Sequence, residues 1–520
     1  MVTVASAPAQ TQAKLAARSD GRRMAPWLVL AALYVGAVGL LFASRVREFA
    51  DESDNLLGGL LITRGERLYV DYFSSHMPFA YYLAAIPAAL GAQRLEEFRP
   101  FTNALLVAAT LLVVLGFRHR LSLELLGTWA VLTVFAHRLQ FGEMLTAGTT
   151  AGFGCLVAGL LFFTRPGLKF DLRGEVALSA AVFVAIQSAL LSVYPLAVLA
   201  LAYCLMRVRD RDWRSTLRLG LVVAVPNLLV LLGLWLSGAL SAFVYDAIQF
   251  NQAYYAQYLM NASPIGMLHD WEAQYRTYLL QSLADPLGVQ AYLVTGNIVA
   301  AVLIGRRRGW LVGAAVYLFI ALSHIRTEDG YYLVSYASLA VDIVWAITTL
   351  GRSPARLIAV PVLLLAGAFV VRVAMLYDLG PAPARNAPEV AVIQALSEPG
   401  ERIFAAPYDP YLYLATQRMP ATTLPFFFPW QAADPRSESQ LIAEIRNRRP
   451  ALIVFRKWEA VNDRWPLGEY AQRVERVIRE RYTPLDESAP VLQDLYVPTE
   501  RLDDARARAA GLIAQPATGP

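Results

Sequence analysis

The chain alternates long apolar runs with short polar loops from Trp27 to about Tyr377, then changes to alternating and amphipathic stretches. Apolar runs of roughly 17 to 25 residues have the length at which an α-helix crosses a bilayer. The pattern predicts spans at 27–45, 101–117, 121–136, 147–164, 175–191, 193–206, 219–237, 289–304, 309–323, 331–349 and 356–377. The apolar stretch 78–92 is short for a crossing and reads as a short or re-entrant segment buried against other helices. Past Tyr377, the prolines Pro381, Pro383 and Pro388 form a linker that opens a small α/β domain over 378–505. Its strand candidates are Arg402–Ala405 and Leu452–Phe455, and Glu438–Arg448 and Glu469–Arg481 carry helical periodicity. The stretch 506–520, rich in Ala, Gly and Pro, reads as a disordered tail. No internal repeat relates two halves of the chain.

Composition agrees with this pattern: 56% hydrophobic and 17% charged content over 520 residues is too apolar for a soluble globule. Charge then sets sidedness. Lys14, Arg18, Arg22 and Arg23 in the polar tail 1–26 precede Trp27–Ser44, which is too long for a removable signal and reads as an uncleaved anchor with a cytoplasmic N-terminus. Arg306–Arg308, Arg352 with Arg356, and the 207–218 cluster are likewise expected in the cytoplasm. The membrane module 27–377 then exposes 46–100, 137–146, 238–288 and 324–330 outside, with everything after Tyr377. A non-crossing 78–92 keeps this parity with the Arg165/Lys169/Arg173 loop. The fold class expected is a polytopic α-helical membrane protein of about 11 to 13 transmembrane helices with a small C-terminal extracytoplasmic α/β domain. The pI near 9.1 reflects loop cations and does not call for nucleic acid. Cys155 and Cys204 lie in apolar segments and imply neither a disulfide framework nor a zinc site.

The candidate chemistry begins at Asp51-Glu52-Ser53-Asp54, three carboxylates at a membrane boundary, where acidic groups are costly and mark a candidate site. Residues 54–64 have the pattern of a short helix lying along the membrane surface and closed by Gly65. Tyr69-Val70-Asp71 and His76-Met77-Pro78 follow. The plainer reading is that these carboxylates merely suit a helix N-terminal turn.

This acidic pair after the first span, the helix ending in Gly, the Tyr-x-Asp and the His-x-Pro entering the next apolar segment resemble the first outer loop of the GT-C glycosyltransferases. The nearest branch is that of the protein O-mannosyltransferases and lipid A aminoarabinose transferases. The resemblance implies an integral enzyme of a bacterial inner membrane that moves a sugar from a polyprenyl-phosphate donor to a glycan, lipid or protein acceptor. It implies Asp51 as general base, Glu52 as its neighbour, and inversion at the sugar. General chemistry agrees, because an acceptor hydroxyl or amine must lose a proton to a nearby base, whereas the phosphate leaves as a stable anion.

A leaving phosphate calls for a cation, and Arg326 in Ser323-His324-Ile325-Arg326-Thr327-Glu328-Asp329-Gly330-Tyr331-Tyr332 is suited to it by its planar fork. In the resembling enzymes a basic residue followed closely by Tyr stands in a late outer loop. Arg326 with Tyr331 and Tyr332 looks similar, although Glu328 and Asp329 intervene. An interfacial ion pair with those two acids is the alternative. Asp71, His76, Glu143 and His324 are further candidates for substrate contact. No cofactor is expected, and a divalent metal is not favoured, because Asp, Glu and His show no dedicated ligand spacing. The aromatic loop 238–288 fits a sugar platform or an interfacial belt. Pro407-Tyr408-Asp409-Pro410-Tyr411 and Phe426-Phe427-Phe428-Pro429-Trp430 fit acceptor contact or a cover over the membrane module. Walker loops, nucleotide-binding glycine motifs and Ser-His-Asp orders are missing. A transporter or flippase of a lipid-linked saccharide, and a polymerase or ligase on the same fold, are the competing readings.

Overall fold

The structure, a computed structural model, describes residues 50–117, 147–165, 169–259, 309–322, 387–486 and 492–513, with scattered positions between 272 and 308. The expected spans 27–45, 121–136, 331–349 and 356–377 and most of 289–304 lie outside the described residues.

The first described helix, α1 (Ala50–Thr63), ends as its sequence dictates. Gly65 takes φ +88°, and the amides of Gly65 and Glu66 return to the carbonyls of Ile62 and Leu61, a Schellman closure. After a tight loop come α2 (Phe79–Ala89) and α3 (Leu95–Phe117). The 11 residues of α2 extend about 16 Å, roughly half the hydrocarbon thickness.

The helical module continues with α4 (Ala147–Thr164), α5 (Leu172–Ser188), α6 (Val193–Arg209), α7 (Trp213–Leu236) and α8 (Trp310–Leu322). Ala147–Thr164, Leu190–Arg209 and Trp213–Leu236 are long and apolar enough to cross a membrane. Along α7, Leu221, Val225, Leu228, Leu232 and Trp235 remain exposed, an apolar face that only lipid or further apolar protein would satisfy. Gly154 lets α4 approach α5 closely, since a Cβ there would stand 2.5 Å from the Ala185 amide nitrogen.

Charges gather at one end of this bundle. Arg165 pairs with Asp171 at 2.6 Å, Arg218 with buried Glu175 at 2.7 Å, and buried Arg207 with Asp210 and Asp212. Arg308 donates to the carbonyls of Phe163 and Arg165, bringing three of the basic loops together. Phe79 of α2 instead meets Phe183, twelve residues or about 18 Å beyond Asp171. Residues 50–89 therefore pack toward the opposite end.

The chain past α7 continues through π-helical turns at Val244–Gln249 and Asn251–Tyr255. The C-terminal unit then runs α9 (Ala387–Leu396), β1 (Arg402–Ala406), α10 (Pro410–Thr416), β2 (Met419–Pro420), α11 (Pro429–Ala433), α12 (Pro435–Arg448) and β3 (Leu452–Phe455). It closes with the small hairpin β4 (Ala460–Val461) and β5 (Trp465–Pro466), the helices α13 (Leu467–Tyr470) and α14 (Gln472–Arg479), the strands β6 (Tyr482–Pro484) and β7 (Leu495–Pro498), and α15 (Leu502–Ile513). The sheet order is β2-β1-β3-β7-β6, parallel at β2-β1-β3 and antiparallel beyond. β1 and β3 pair Ile403 with Leu452 through Ala406 with Phe455, and β3 is buried throughout, as an apolar central strand should be. The plan is the expected one, apolar helices followed by a small α/β unit.

Two expectations need correction. The tail read over 506–520 begins as helix: α15 runs to Ile513 and buries Ala505 and Ala509 against α9, because its alanines form an apolar stripe at helical spacing. α1 does not lie along a membrane surface with one face in lipid. Its residues 52–61 are all buried, walled by α2 on one side and α10 on the other. Glycines make this possible: a Cβ on Gly59 would stand 2.6 Å from the Ala84 carbonyl carbon. Gly59→Ala should therefore cost about 1–3 kcal/mol through overpacking against backbone. A fall in the melting temperature of the purified full-length protein checks this, with Gly220→Ala, which meets nothing within 4 Å, expected to be neutral or stabilising.

Candidate active site

α1 holds three carboxylates in its first five residues, and each has a different partner. Glu52, fully buried, forms an ion pair with Arg99 of α3 at 2.9 Å. Asp54, one helical turn past Asp51 and also buried, accepts from the Tyr72 phenol at 2.5 Å and the Tyr81 phenol at 2.6 Å, one on each carboxylate oxygen. Asp51 is only half-buried, and its Oδ1 accepts from the Tyr408 phenol of the C-terminal unit at 3.1 Å. Of the three acids, Asp51 is the one open to a reactant.

The loop between α1 and α2 is shaped to supply these phenols. Arg67 and Asp71 close its tip, with the Arg67 side chain and amide both donating to Asp71, and Tyr69 takes φ +72° so that its amide donates to the Tyr72 carbonyl. Ser74 Oγ donates to the Tyr81 phenol at 2.9 Å, the His76 amide donates to Ser74 Oγ, and the Tyr69 phenol donates to the His76 carbonyl. The loop is also tied to its surroundings: the Phe73 amide donates to Thr423 of the C-terminal unit, and Asn251 donates to the Ser75 carbonyl at 2.7 Å.

Burial pushes the Asp54 carboxyl above its ordinary range, opposed by the nearby His76 and the two phenols and reinforced by Asp51. Burial raises the Tyr408 phenol well above its usual value too, and Asp51 and Asp54 raise it further, so it stays a proton donor. The Arg67 guanidinium holds Asp71 below the usual carboxylate range. Exposed and committed to that pair, Asp71 stands apart from the Asp54 cluster.

The aromatic segments assemble into one wall. Tyr408 stacks on Phe428 (4.8 Å between centroids), Phe428 on Trp430 (4.6 Å), and Trp430 meets Tyr255 (5.1 Å) and Tyr258, which meets Trp465. Tyr245 donates to Asp434 at 2.9 Å beneath the Arg436 guanidinium. The described tyrosines of 238–288 thus seal the C-terminal unit onto the helical module, a role that neither the belt nor the sugar platform anticipated. Trp271, Tyr275 and Tyr278 lie outside the described residues, as do Glu143, His324, Arg326, Tyr331 and Tyr332. α8 starts beside the Arg308 contacts and its last residue, Leu322, stands four positions before Arg326.

The structure brings Asp51, Glu52 and His76 close together and surrounds them with Tyr72, Tyr81, Arg99 and Tyr408, of which only Tyr408 stood in a segment that the sequence marked as a contact candidate. Tyr72 directly follows the Tyr69-Val70-Asp71 motif and Tyr81 lies three residues past Pro78, and the rule that buried carboxylates need partners was the signal for them. Among the described residues, no three His, Cys, Asp or Glu side chains gather as metal ligands.

No protein-family model matches the sequence, and no curated protein matches it. Among solved structures, the chain is similar to ArnT from Cupriavidus metallidurans bound to undecaprenyl phosphate, with 16% identity, a TM-score of 0.47, and 82% of this chain and 92% of that one covered. It is also similar to the Archaeoglobus fulgidus oligosaccharyltransferase complex with Zn and sulfate, with 15% identity, a TM-score of 0.48, and 82% and 67% covered. Likenesses at this level leave the functional reading to the site's own residues.

One further acid borders the site. Asp246 is buried between the Ser74 amide and the Asp434–Arg436 pair; burial, with Asp434 adding to it against Arg436, lifts its carboxyl to about 8. A raised folded-state value means that the native state binds this proton more tightly than the unfolded chain does. Its contribution to stability is present below about 4 and lost as pH rises to about 8, by about 1.4 kcal/mol per pH unit. Asp246→Asn should flatten that slope, so the variant's melting temperature relative to wild type should climb between pH 5 and pH 9.

Proposed function

We propose that the protein is an integral-membrane glycosyltransferase that moves a sugar from a polyprenyl-phosphate donor to an extracytoplasmic acceptor. The observation that carries the reading is the inequality among the carboxylates of α1: Glu52 and Asp54 are enclosed by Arg99 and by two phenols, while Asp51 is half-buried beside a phenol donor. This is the arrangement a general base needs, oriented yet approachable. The acceptor oxygen or nitrogen attacks the anomeric carbon and its proton passes to Asp51. The bond from that carbon to the phosphate oxygen breaks, its electron pair stays with the lipid phosphate, and the sugar inverts. Arg326 is the proposed phosphate contact, with Tyr331 and Tyr332 as further donor-phosphate contacts and His324 and Glu143 as substrate contacts; these assignments rest on the sequence, through the chemistry of the guanidinium and the resemblance. Glu52 is assigned the work of fixing α1 to α3 through Arg99.

Sidedness supports the same reading. The basic loops at Arg165, Arg207–Arg218 and Arg308 share one end of the bundle, and the carboxylate site packs toward the other. By the positive-inside rule the basic end is cytoplasmic, which leaves the N-terminal tail inside and the C-terminal unit outside. A flippase would need ionisable groups partway along the spans. The described ones, Glu175, Arg207 and Arg218, pair with neighbours at the basic end.

The test uses the purified full-length protein with a panel of undecaprenyl-phosphate hexoses, pentoses and amino sugars, and follows release of undecaprenyl phosphate. Asp51→Asn should retain expression and melting temperature and lose at least about 10²-fold in kcat, the span of one general base. Unchanged turnover in that variant would overturn the assignment.

A further inference from the structure

We propose that Tyr408, carried by the C-terminal unit, is a positioning residue for Asp51, so that the reaction centre is complete only when that unit is docked on α1. The inference rests on Asp51 acting as the base. Its first support is the contact itself, a phenol donating to Asp51 Oδ1 at 3.1 Å across 357 positions of sequence. A hydrogen bond to one carboxylate oxygen favours the ionised form and aims the other oxygen at the reactant.

Its second support is the rigidity of the turn that presents the phenol. Tyr408 sits between the end of β1 and the start of α10. On one side of it the Pro407 carbonyl accepts from the Phe427 amide at 2.8 Å, and the Arg456 amide donates to the Ala406 carbonyl. On the other, Asp409 caps α10 by accepting from the Leu412 amide, and its carboxylate meets the Arg456 guanidinium at 2.8 Å, which also holds Glu389 of α9. The ring itself is clamped between Phe426 and Phe428. α10, which follows directly, packs along α1. The phenol therefore has little freedom to choose another partner. Among the described residues, the titratable groups that bear on it are Asp51, Asp54, Tyr72 and Tyr81, with His76 reaching Asp54.

The experiment titrates Asp51 in the full-length protein by the infrared carboxylate band, taken as the difference between each protein and the same protein carrying Asp51→Asn, and needs no sugar donor. Tyr408→Phe keeps the ring and its packing. It should move the Asp51 midpoint up by about 1 pH unit, the loss of a hydrogen bond to a charged group, and move the acidic limb of kcat for undecaprenyl phosphate release equally, with donor KM unchanged. Replacing Tyr408 by 3-fluorotyrosine, a stronger donor in the same ring, should move the midpoint down, and it serves where Tyr408→Phe fails to fold. Phe428→Leu disturbs the packing without touching the bond and should leave the midpoint in place. No shift in Tyr408→Phe, or an equal shift in Phe428→Leu, overturns the proposal. Retained turnover in Asp51→Asn overturns this inference together with the proposed function; lost turnover there with an unshifted Tyr408→Phe overturns this one alone.

Discussion

The burial of α1 is the constraint on which the arrangement depends. A helix that carries Asp51, Glu52, Asp54 and Asn55 in its first two turns, then Leu56, Leu57, Leu60 and Leu61, is enclosed on its apolar side and nearly so on its polar one. An isolated ionised carboxylate removed from water costs many kcal/mol, so each acid must find a cation or donors, or hold its proton. Arg99 of α3, Tyr72 of the loop, Tyr81 of α2 and Tyr408 of the C-terminal unit answer that demand. Each answer also fixes a neighbouring element against α1. The polar requirements of one helix thereby determine how two separate parts of the chain meet.

The apolar side of the same helix makes the join continuous. Leu56, Leu60 and Tyr81 share one core with Leu412, Tyr413, Ile403 and Leu452, so no water layer separates the helical module from the α/β unit at this point. Further ties surround that core: Arg402 with Glu66, Phe73 with Thr423, Tyr245 with Asp434. The aromatic wall from Tyr408 to Trp465 then covers the side facing residues 244–258. A large apolar interface of this kind resembles the inside of a domain more than a contact between independently moving ones. The C-terminal unit is accordingly a wall of the candidate site.

Much of this was legible in the sequence wherever the determining interaction is local. Gly65 announced the end of α1, the apolar runs announced α4, α6, α7 and α8 to within a few residues, and Leu452–Phe455 read as a strand. The acidic pair at 51–52 marked a candidate site, because charge at a membrane boundary is costly wherever the rest of the chain goes. Long-range pairing stayed hidden. Nothing at Tyr408 indicates that it meets a residue 357 positions earlier, and nothing at Arg99 indicates that it pairs with Glu52. The helix expected on the membrane surface was misjudged for a related reason. Gly58 and Gly59 looked like mere small residues in an interfacial stripe, whereas they mark where Tyr81 and Ala84 approach the backbone. α15 was missed because Ala-rich composition is shared by tails and by helices, and only the partner α9 decides between them.

The electrostatics of the site bear on what it can hold. A lipid phosphate arriving near Asp51 and Asp54 meets like charge, and each full charge about 4 Å away costs about 1–4 kcal/mol between aqueous and near-surface dielectric conditions. Burial at Asp54 disfavours its charged form, and the Tyr72 and Tyr81 phenols hold its two oxygens. His76, close enough to influence Asp54, acts the other way and favours its ionised form. Asp51, the proposed base, has to be ionised to take a proton, and the Tyr408 phenol donating to its Oδ1 supports that form. With Asp54 enclosed by two phenols and Asp51 approachable, one short helix can border the proposed anionic donor and present the proposed base to the acceptor. A cation to balance the departing phosphate is then the remaining requirement, and it is the one that Arg326, beyond the end of α8, is assigned to meet.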